Sequence, residues 1–432
     1  MQNAKPEVWF DVSRMLWRVF RGTMTGIDRV DIAYAEHFLE AIPDRIRFVA
    51  IDYWTGSFRM LPDYQIRRMI IMVSKCWHDG TLETLRISSG LLLVRSVLTA
   101  PLVPKRRRDS NRRTIYVNTS MHPTQWPLVI GRMLKRAGAV FVPMIHDLIP
   151  LEHPEYVPPA WTNHHRARLE TAIRYAGGII ANSETTGVAI EKWTNGGIPI
   201  MSSRIGVTIH DIRRTPYKQV DDRPYFVCLG TLEPRKNHMV LLHVWRRMVE
   251  RYGEENTPRL LIIGRRGWEN EHVLDMLERC DAIRNVVTEM GILSDEEVGS
   301  ILLGSRALLM PSFIEGYGLP VAEAMGLGVP VICSDISAHR EIGGDIPVFL
   351  DPLDGPGWEK AVMSYSADRS SCRTEQTRKL AQWNPPKWSD HMKDVVEFIE
   401  SIAAFEVERS HTVAGHERIV MTSSKDNFAL TR

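Results

Sequence analysis

The order of segments around residue 316 restricts the fold more than anything else in this chain. An apolar run, Ala307-Leu-Leu-Met-Pro311, leads through Glu315 into Gly316-Tyr-Gly318, then a helical stretch from Leu319, then a second apolar run, Val329-Pro-Val-Ile-Cys333. Strand, glycine turn, helix and strand in that order make a parallel unit. The same alternation recurs along most of the sequence, so the expected fold class is α/β with doubly wound sheets. In the turn, backbone N–H groups can lie bare, and the helix starting near Leu319 adds the partial positive charge of its amino end. Pro320 suits the first helical turn, where its missing donor costs nothing. Gly316, Tyr317, Gly318 and Leu319 thus frame an anion site. Glu315 before the turn and Glu323 at about the second helical turn would repel a lone phosphate. Hydroxyl groups suit these acids better, and a nucleotide sugar, with a diphosphate between two polyols, satisfies the whole arrangement.

A second motif follows the buried-strand run Tyr225-Phe-Val-Cys-Leu229. It reads Gly230-Thr-Leu-Glu-Pro-Arg-Lys-Asn237, with a helix expected from about His238. Gly230, beside Thr231, lets the backbone approach a ligand closely, and Arg235 and Lys236 place two cations one step from a helix start. Such cations stabilise a diphosphate leaving group as its charge develops. In the first half, Ala139-Val-Phe-Val-Pro-Met-Ile145 runs straight into His146 and Asp147. A side chain at the carboxyl end of a parallel strand faces the ligand crevice. His146 can donate to a sugar hydroxyl or shuttle a proton, or it can be a structural histidine capped by Asp147. Gly22 and Gly26 lie in a further loop-to-helix turn, which reads either as ligand-facing or as a plain surface loop.

These motifs resemble the retaining glycosyltransferases of family 4. The resemblance rests on the two glutamates around Gly-Tyr-Gly-Leu-Pro, on the Gly-Thr-Leu-Glu-Pro-Arg-Lys-Asn segment and on His146-Asp-Leu. It implies two Rossmann-like domains facing a cleft, the GT-B arrangement. It also implies that Glu315 contacts the donor hexose, Glu323 the ribose, and Arg235 and Lys236 the donor phosphates, with His146 lining the cleft. Gly22, Gly26 and Arg29 would be counterparts of a glycine-rich loop that helps hold acceptor or donor phosphate. The wording around Lys236 looks most like mannosyltransferases of bacterial polysaccharide assembly, which suggests GDP-mannose as donor and a saccharide or lipid-linked saccharide as acceptor. Retention of anomeric configuration is carried over in the same way. No cofactor is expected, and no metal, since Arg235 and Lys236 can do a metal's electrostatic task. The alternatives are a nucleotide-sugar 2-epimerase of the same architecture and a non-catalytic membrane- or nucleic-acid-binding module.

The expected organisation is an acceptor-side first domain over residues 1–212, a linker over 213–224 and a nucleotide-sugar-binding domain over 225–385. A terminal helix, 386–406, would pack back on the first domain, followed by a disordered tail, 407–432. At 432 residues, 44% of them apolar, the chain can fill two cores. Its five cysteines form no C-x-x-C pair, which argues for a reducing compartment. No secretory leader and no spanning apolar run is visible, so a cytoplasmic location is expected, in solution or at the membrane's inner face. Residues 54–113 read as irregular, with apolar patches and a basic run of Lys105, Arg106, Arg107, Arg108, Arg112 and Arg113. That run suits an anionic lipid surface or a solvated loop. No aromatic residues interleave with it, which weighs against nucleic acid.

Overall fold

The computed structural model describes residues 4–21, 25–78, 96–105, 112–209 and 221–405. Gly22, Arg106, Arg107 and Arg108, most of the anticipated linker and the anticipated tail lie outside the described residues.

The first sheet contains β1 (Glu7–Asp11), β2 (Ile46–Asp52), β3 (Ser57–Met60), β4 (Thr114–Asn118), β5 (Ala139–Ile145), β6 (Ile179–Ala181) and β7 (Ile200–Ser202). Their spatial order is β3-β2-β1-β4-β5-β6-β7, and only the β3 edge pairs antiparallel. The second sheet contains β8 (Tyr225–Leu229), β9 (Arg259–Ile263), β10 (Val287–Gly291), β11 (Leu308–Met310), β12 (Val331–Ser334) and β13 (Val348–Leu350). Its order is β10-β9-β8-β11-β12-β13, with every pairing parallel. Helices cover both faces, so central strands are apolar throughout rather than alternating, as in Leu260-Leu-Ile-Ile263. The largest fully buried side chains include Phe10, Tyr34, Phe38 and Phe48 in the first domain and Phe226, Trp245 and Trp358 in the second.

This topology fixes where a ligand can sit. Strand order reverses on either side of β1 in the first sheet and of β8 in the second. The chain therefore leaves β1 and β4, and likewise β8 and β11, toward opposite faces, and a crevice opens beyond their carboxyl ends. Asp11 and Asn118 end the first pair; Leu229 and Met310 end the second.

The two domains touch at several points. Tyr156 stacks on Phe313 with ring centroids 5.6 Å apart. The Tyr317 hydroxyl donates to Ile205 O at 2.7 Å. The Glu341 carboxylate accepts from Glu184 N at 2.7 Å, from Thr185 N at 3.0 Å and from the Thr185 hydroxyl at 2.8 Å, so an acid of the second domain caps a helix of the first. The last helix, 388–405, lies on the first domain. Its His391 Nε2 is 2.6 Å from the Tyr34 hydroxyl, its Asp394 accepts from Ser203 Oγ at 2.9 Å, and its Glu400 accepts from Arg45 at 2.9 Å.

Within 54–113, the described residues are more regular than the sequence suggests. They include β3 and a helix, Asp63–His78, whose Ile66, Met69, Ile70 and Val73 are buried in the first-domain core. Their i, i+3, i+4, i+7 spacing is that of an inward-facing helix. Arg67 lies off that face and pairs with Asp63 at 2.8 Å. The apolar patch over this helix is core packing.

Candidate functional site

Glu315 is the centre of a buried charge cluster. It is 8% exposed, and its carboxylate accepts from Lys236 Nζ at 2.5 Å, Arg235 Nη1 at 2.6 Å and the Ser312 hydroxyl at 2.7 Å. Burial alone would raise its pKa; Arg235 and Lys236 outweigh that and hold the carboxyl far below the usual carboxylate range. Arg235 also lies 2.6 Å from Glu233 Oε1 as an ion pair, without the alignment of a hydrogen bond. Burial pushes the Glu233 carboxyl up, against the pull of both cations.

Local geometry delivers these side chains. After β8, Gly230 adopts φ +150, and a Cβ there would come 3.4 Å from Lys236 Cε, so the lysine stem runs directly over this glycine. Gly230 N donates to Ile263 O at 2.9 Å, and Thr231 follows it against the β9 loop, where a Cβ on Gly267 would stand 2.7 Å from Thr231 Cγ2. Arg235 and Lys236 sit in the single 3-10 turn Pro234–Lys236. Asn237 follows with φ 53, and its side-chain amide donates to Pro311 O at 3.1 Å and Pro352 O at 2.8 Å, pinning the turn to the end of β11.

Across the cleft, Gly316 packs on the His146 carbonyl and the Asp147 side chain. Gly316 O accepts from Ser183 Oγ at 3.0 Å and Thr186 Oγ1 at 3.2 Å, both in the first domain. Gly318, φ 99, caps the helix Leu319–Gly326, with Pro320 in its first turn. Gly26 opens the helix Gly26–Ala41 in the first domain, and a Cβ on it would meet Leu319 Cδ1 at 3.4 Å. His146 Nε2 lies 2.6 Å from Thr119 O, so this nitrogen carries the proton, and burial pushes the ring's pKa down. Glu315, Gly316, Gly318, Leu319, Arg235, Lys236, Gly230, Thr231, His146 and Gly26 are thus gathered at one junction. The Tyr317 side chain points out of it, toward Ile205.

Glu323 is placed differently from the expectation of an acid open to hydroxyls. It is ion-paired with Arg29 of the first domain, and Arg29 also binds Asp295 of the second. Arg29, expected on phosphate, here bridges two carboxylates across the domain boundary, because two acids on adjoining elements outcompete solvent for a half-buried guanidinium.

Sequence reading missed further polar groups here. His339 is fully buried; its Nδ1 lies 2.9 Å from Ser334 O, and its Nε2 has no hydrogen-bond partner. A Cβ on Gly318 would lie 3.7 Å from that nitrogen, and the Glu315 charge acts on the ring. The position one turn into the helix after β12 was the available signal. In the first domain, Asp11 and Asp31 are both 1% exposed. Asp11 accepts from the Tyr116 hydroxyl, and Asp31 accepts from Thr119 Oγ1 at 2.6 Å. That Asp11 and Thr119 stand at the ends of β1 and β4 could have drawn attention to this pair.

Burial pushes the Asp31 carboxyl up to about 8, Arg14 opposing and Asp28 reinforcing. The folded protein therefore holds a proton that the unfolded chain releases above about pH 4. Stability contributed by this group falls as pH rises from about 4 to 8. Asp31→Asn, neutral throughout, is expected to melt close to the parent near pH 4 and on the order of 5 °C higher at pH 8. Calorimetry at both pH values checks this; an unchanged difference between them would show that Asp31 does not carry the proton.

Two parallel α/β domains with a basic and acidic cluster at their facing switch points define a GT-B architecture, the class to which the solved structure of Anabaena Alr3699/HepE in complex with UDP and glucose belongs. That structure superposes with TM-score 0.58 at 15% identity, over 92% of this chain and all 100% of that one. Residues 211–347, which include most of the second domain, match the family model of glycosyl transferases group 1. Over 266 residues the chain is 28% identical to the O-antigen chain mannosyltransferase B of Escherichia coli, covering 60% of this chain and 68% of that one. It is 25% identical over 248 residues to the serotype-specific mannosyltransferase WbdA of Escherichia coli, covering 53% of this chain, and this match spans only 30% of the relative's length. No helix among the described residues is long and apolar enough to cross a membrane.

Proposed function

We propose that this protein is a hexosyltransferase that moves mannose from GDP-mannose to a hydroxyl of a saccharide, free or lipid-linked, during bacterial polysaccharide assembly. The observation that carries this reading is the placement of Arg235, Lys236 and Glu315 beside the amino end of the Leu319–Gly326 helix, opposite His146. A diphosphate laid along that helix end meets two cations and bare N–H groups. Glu315, kept ionised, accepts from hexose hydroxyls. Glu323 accepts from the ribose once it exchanges its Arg29 partner. His146, protonated at Nε2, keeps Nδ1 as an acceptor toward the sugar.

In the transfer step the anomeric C–O bond to the diphosphate breaks as the acceptor oxygen bonds to the same face, and the acceptor proton passes to a departing phosphate oxygen. Arg235 and Lys236 stabilise the negative charge gathering on the diphosphate in place of a divalent ion, and bonding on the face the diphosphate leaves retains configuration. The mannosyltransferase relatives support mannose as the hexose. Lys105, Arg112 and Arg113 would place the first domain near anionic lipid if the acceptor hangs on a lipid carrier.

The test is a panel of nucleotide sugars screened for protection against thermal unfolding, with transfer then assayed with the best stabiliser. GDP-mannose is expected to raise the melting temperature most. A larger shift from a uridine sugar would replace the donor, and no shift from any would refute donor binding.

A further inference from the structure

The charge cluster holds one acid that the transfer step does not use. Glu233 lies in the loop after β8, its side chain is only 2% exposed, and its carboxylate stands 2.6 Å from Arg235 Nε. The contact is an ion pair without hydrogen-bond alignment, and Glu233 Oε1 has no hydrogen-bond partner. Glu315 is held far better: it accepts from Lys236, from Arg235 Nη1 and from Ser312. Aligned, charge-assisted hydrogen bonds are the stronger kind. Of the two acids that share Arg235, Glu233 therefore has the weaker grip.

An arriving diphosphate meets a cluster whose charges already cancel. Arg235 and Lys236 bring two positive charges, and Glu233 and Glu315 bring two negative ones. A nucleotide sugar adds a negative charge on each of its phosphates, where little water is present to screen it. Arg235 can turn to a phosphate oxygen only by loosening its hold on a carboxylate, and an ionised carboxylate left buried without its cation is costly. Protonation removes that cost. The charged groups that face Glu233 are Arg235 and Lys236 from the adjoining turn, Glu315 from the loop after β11 and Asp147 from the loop after β5. Burial and the two acids favour its protonated form, against the two cations. Drawing Arg235 away and adding a diphosphate moves the balance further in the same direction.

Resting on the transferase reading, we propose that Glu233 is the acid Arg235 releases to the donor diphosphate, and that its carboxylate takes one proton from solvent in exchange. Binding of the nucleotide sugar is then coupled to proton uptake, and departure of the diphosphate product returns the proton. Glu233 touches neither phosphate nor sugar; it is a positioning residue that acts through Arg235. Because the donor-bound form holds the proton more tightly than the free form, donor affinity is highest in acid and falls as pH rises, by at most about tenfold per pH unit for one proton.

The experiment is titration calorimetry on the full chain without acceptor, using GDP-mannose, UDP-glucose and UDP-N-acetylglucosamine at pH values from about 5.5 to 8.5. Each titration is run in two buffers of different ionisation enthalpy, which counts the protons exchanged. Nucleotide sugars suit the count, since both phosphates are diesters with no proton to exchange in this range, whereas a terminal phosphate titrates near about 6. Parent protein is compared with Glu233→Gln, Glu233→Asp and the exposed control Glu255→Gln. Parent and control are expected to take up about half a proton or more at the pH of greatest uptake, with affinity falling across that range. Glu233→Gln takes up none and binds with an affinity independent of pH. Glu233→Asp, which keeps a carboxyl, restores the uptake with its maximum displaced along pH, and this displacement identifies the group even where the Gln variant is too unstable to titrate. Donor binding by the parent without proton uptake overturns the proposal and leaves the transferase reading standing. Uptake in Glu233→Gln equal to the parent's, or an unmoved maximum in Glu233→Asp, does the same and puts the proton on another group, such as His339 beside Glu315. No binding of any of the three nucleotide sugars removes the donor reading together with the proposal, a failure that thermal shifts report without reference to protons.

Discussion

Glu315→Gln lowers the rate of sugar transfer by about two to three orders of magnitude, and Lys236→Ala does the same. The two variants differ in stability. Glu315 is the common partner of Arg235, Lys236 and Ser312. Gln keeps the shape but turns an amide donor toward one of two buried cations. Glu315→Ala, which takes the carboxylate from Lys236 and leaves Arg235 with Glu233 alone, is expected to cost about 3–5 kcal/mol of stability. Lys236→Ala leaves Glu315 with Arg235 and Ser312, so its melting temperature drops less. Glu315 has a depressed folded pKa, so its contribution to stability is fully present above the unfolded value of about 4.3 and is lost as pH falls toward the folded one. The stability gap between parent and Glu315→Gln should therefore be constant from pH 5 to 8 and shrink in acid. Initial transfer rates and calorimetric melts check both halves. Parent-like rates in both variants would count heavily against the assignment.

The second large effect belongs to Gly316→Ala. A Cβ there would stand 2.6 Å from His146 O and 2.8 Å from Asp147 Cβ, and neither neighbour is a flexible side-chain end. The turn cannot retreat easily, since its carbonyl is held by Ser183 and Thr186. The added methyl therefore wedges the glycine turn away from the first domain and misplaces the helix end by on the order of 1 Å. Transfer is expected to fall about a hundredfold while each domain stays folded. Gly355→Ala, where a Cβ meets nothing within 4 Å, serves as the control and should leave transfer unchanged. Equal activity in the two variants would mean that the contact between Gly316 and His146 is not needed for transfer.

Much of the fold was legible because parallel strands buried on both faces write themselves as short apolar runs. Tyr225–Leu229 and Leu308–Met310 lie within runs marked as strands in the sequence, and the helix starts at Leu319 and His238 fall at the expected residues. Two helix caps are equally local: Ser183 accepts from Thr186 N, and Ser294 from Glu297 N. Residues 54–113 were not, because arginines interleaved with the helical apolar period of Ile66, Met69, Ile70 and Val73 hide an ordinary inward face. The motif turns found most of the junction, since glycine and cation spacing is local. What escaped was what depends on pairing between distant segments. Arg29 meets Glu323 and Asp295 across more than two hundred and sixty positions of sequence, and Asp31 meets Thr119 across eighty-eight. His339 escaped because a single histidine on a short helix carries no pattern.

The central claim is that a diphosphate lies against the amino end of the Leu319–Gly326 helix, between the cations of the 230–237 segment and the sugar-binding acids. A crystal structure with an intact or non-hydrolysable nucleotide sugar tests it most directly. The account predicts phosphate oxygens within hydrogen-bond distance of Lys236, Arg235 and the backbone N–H groups at the turn, with Glu315 on hexose hydroxyls and Glu323 released from Arg29 onto the ribose. Density for the diphosphate anywhere else, or Glu315 turned away from the sugar, would contradict it.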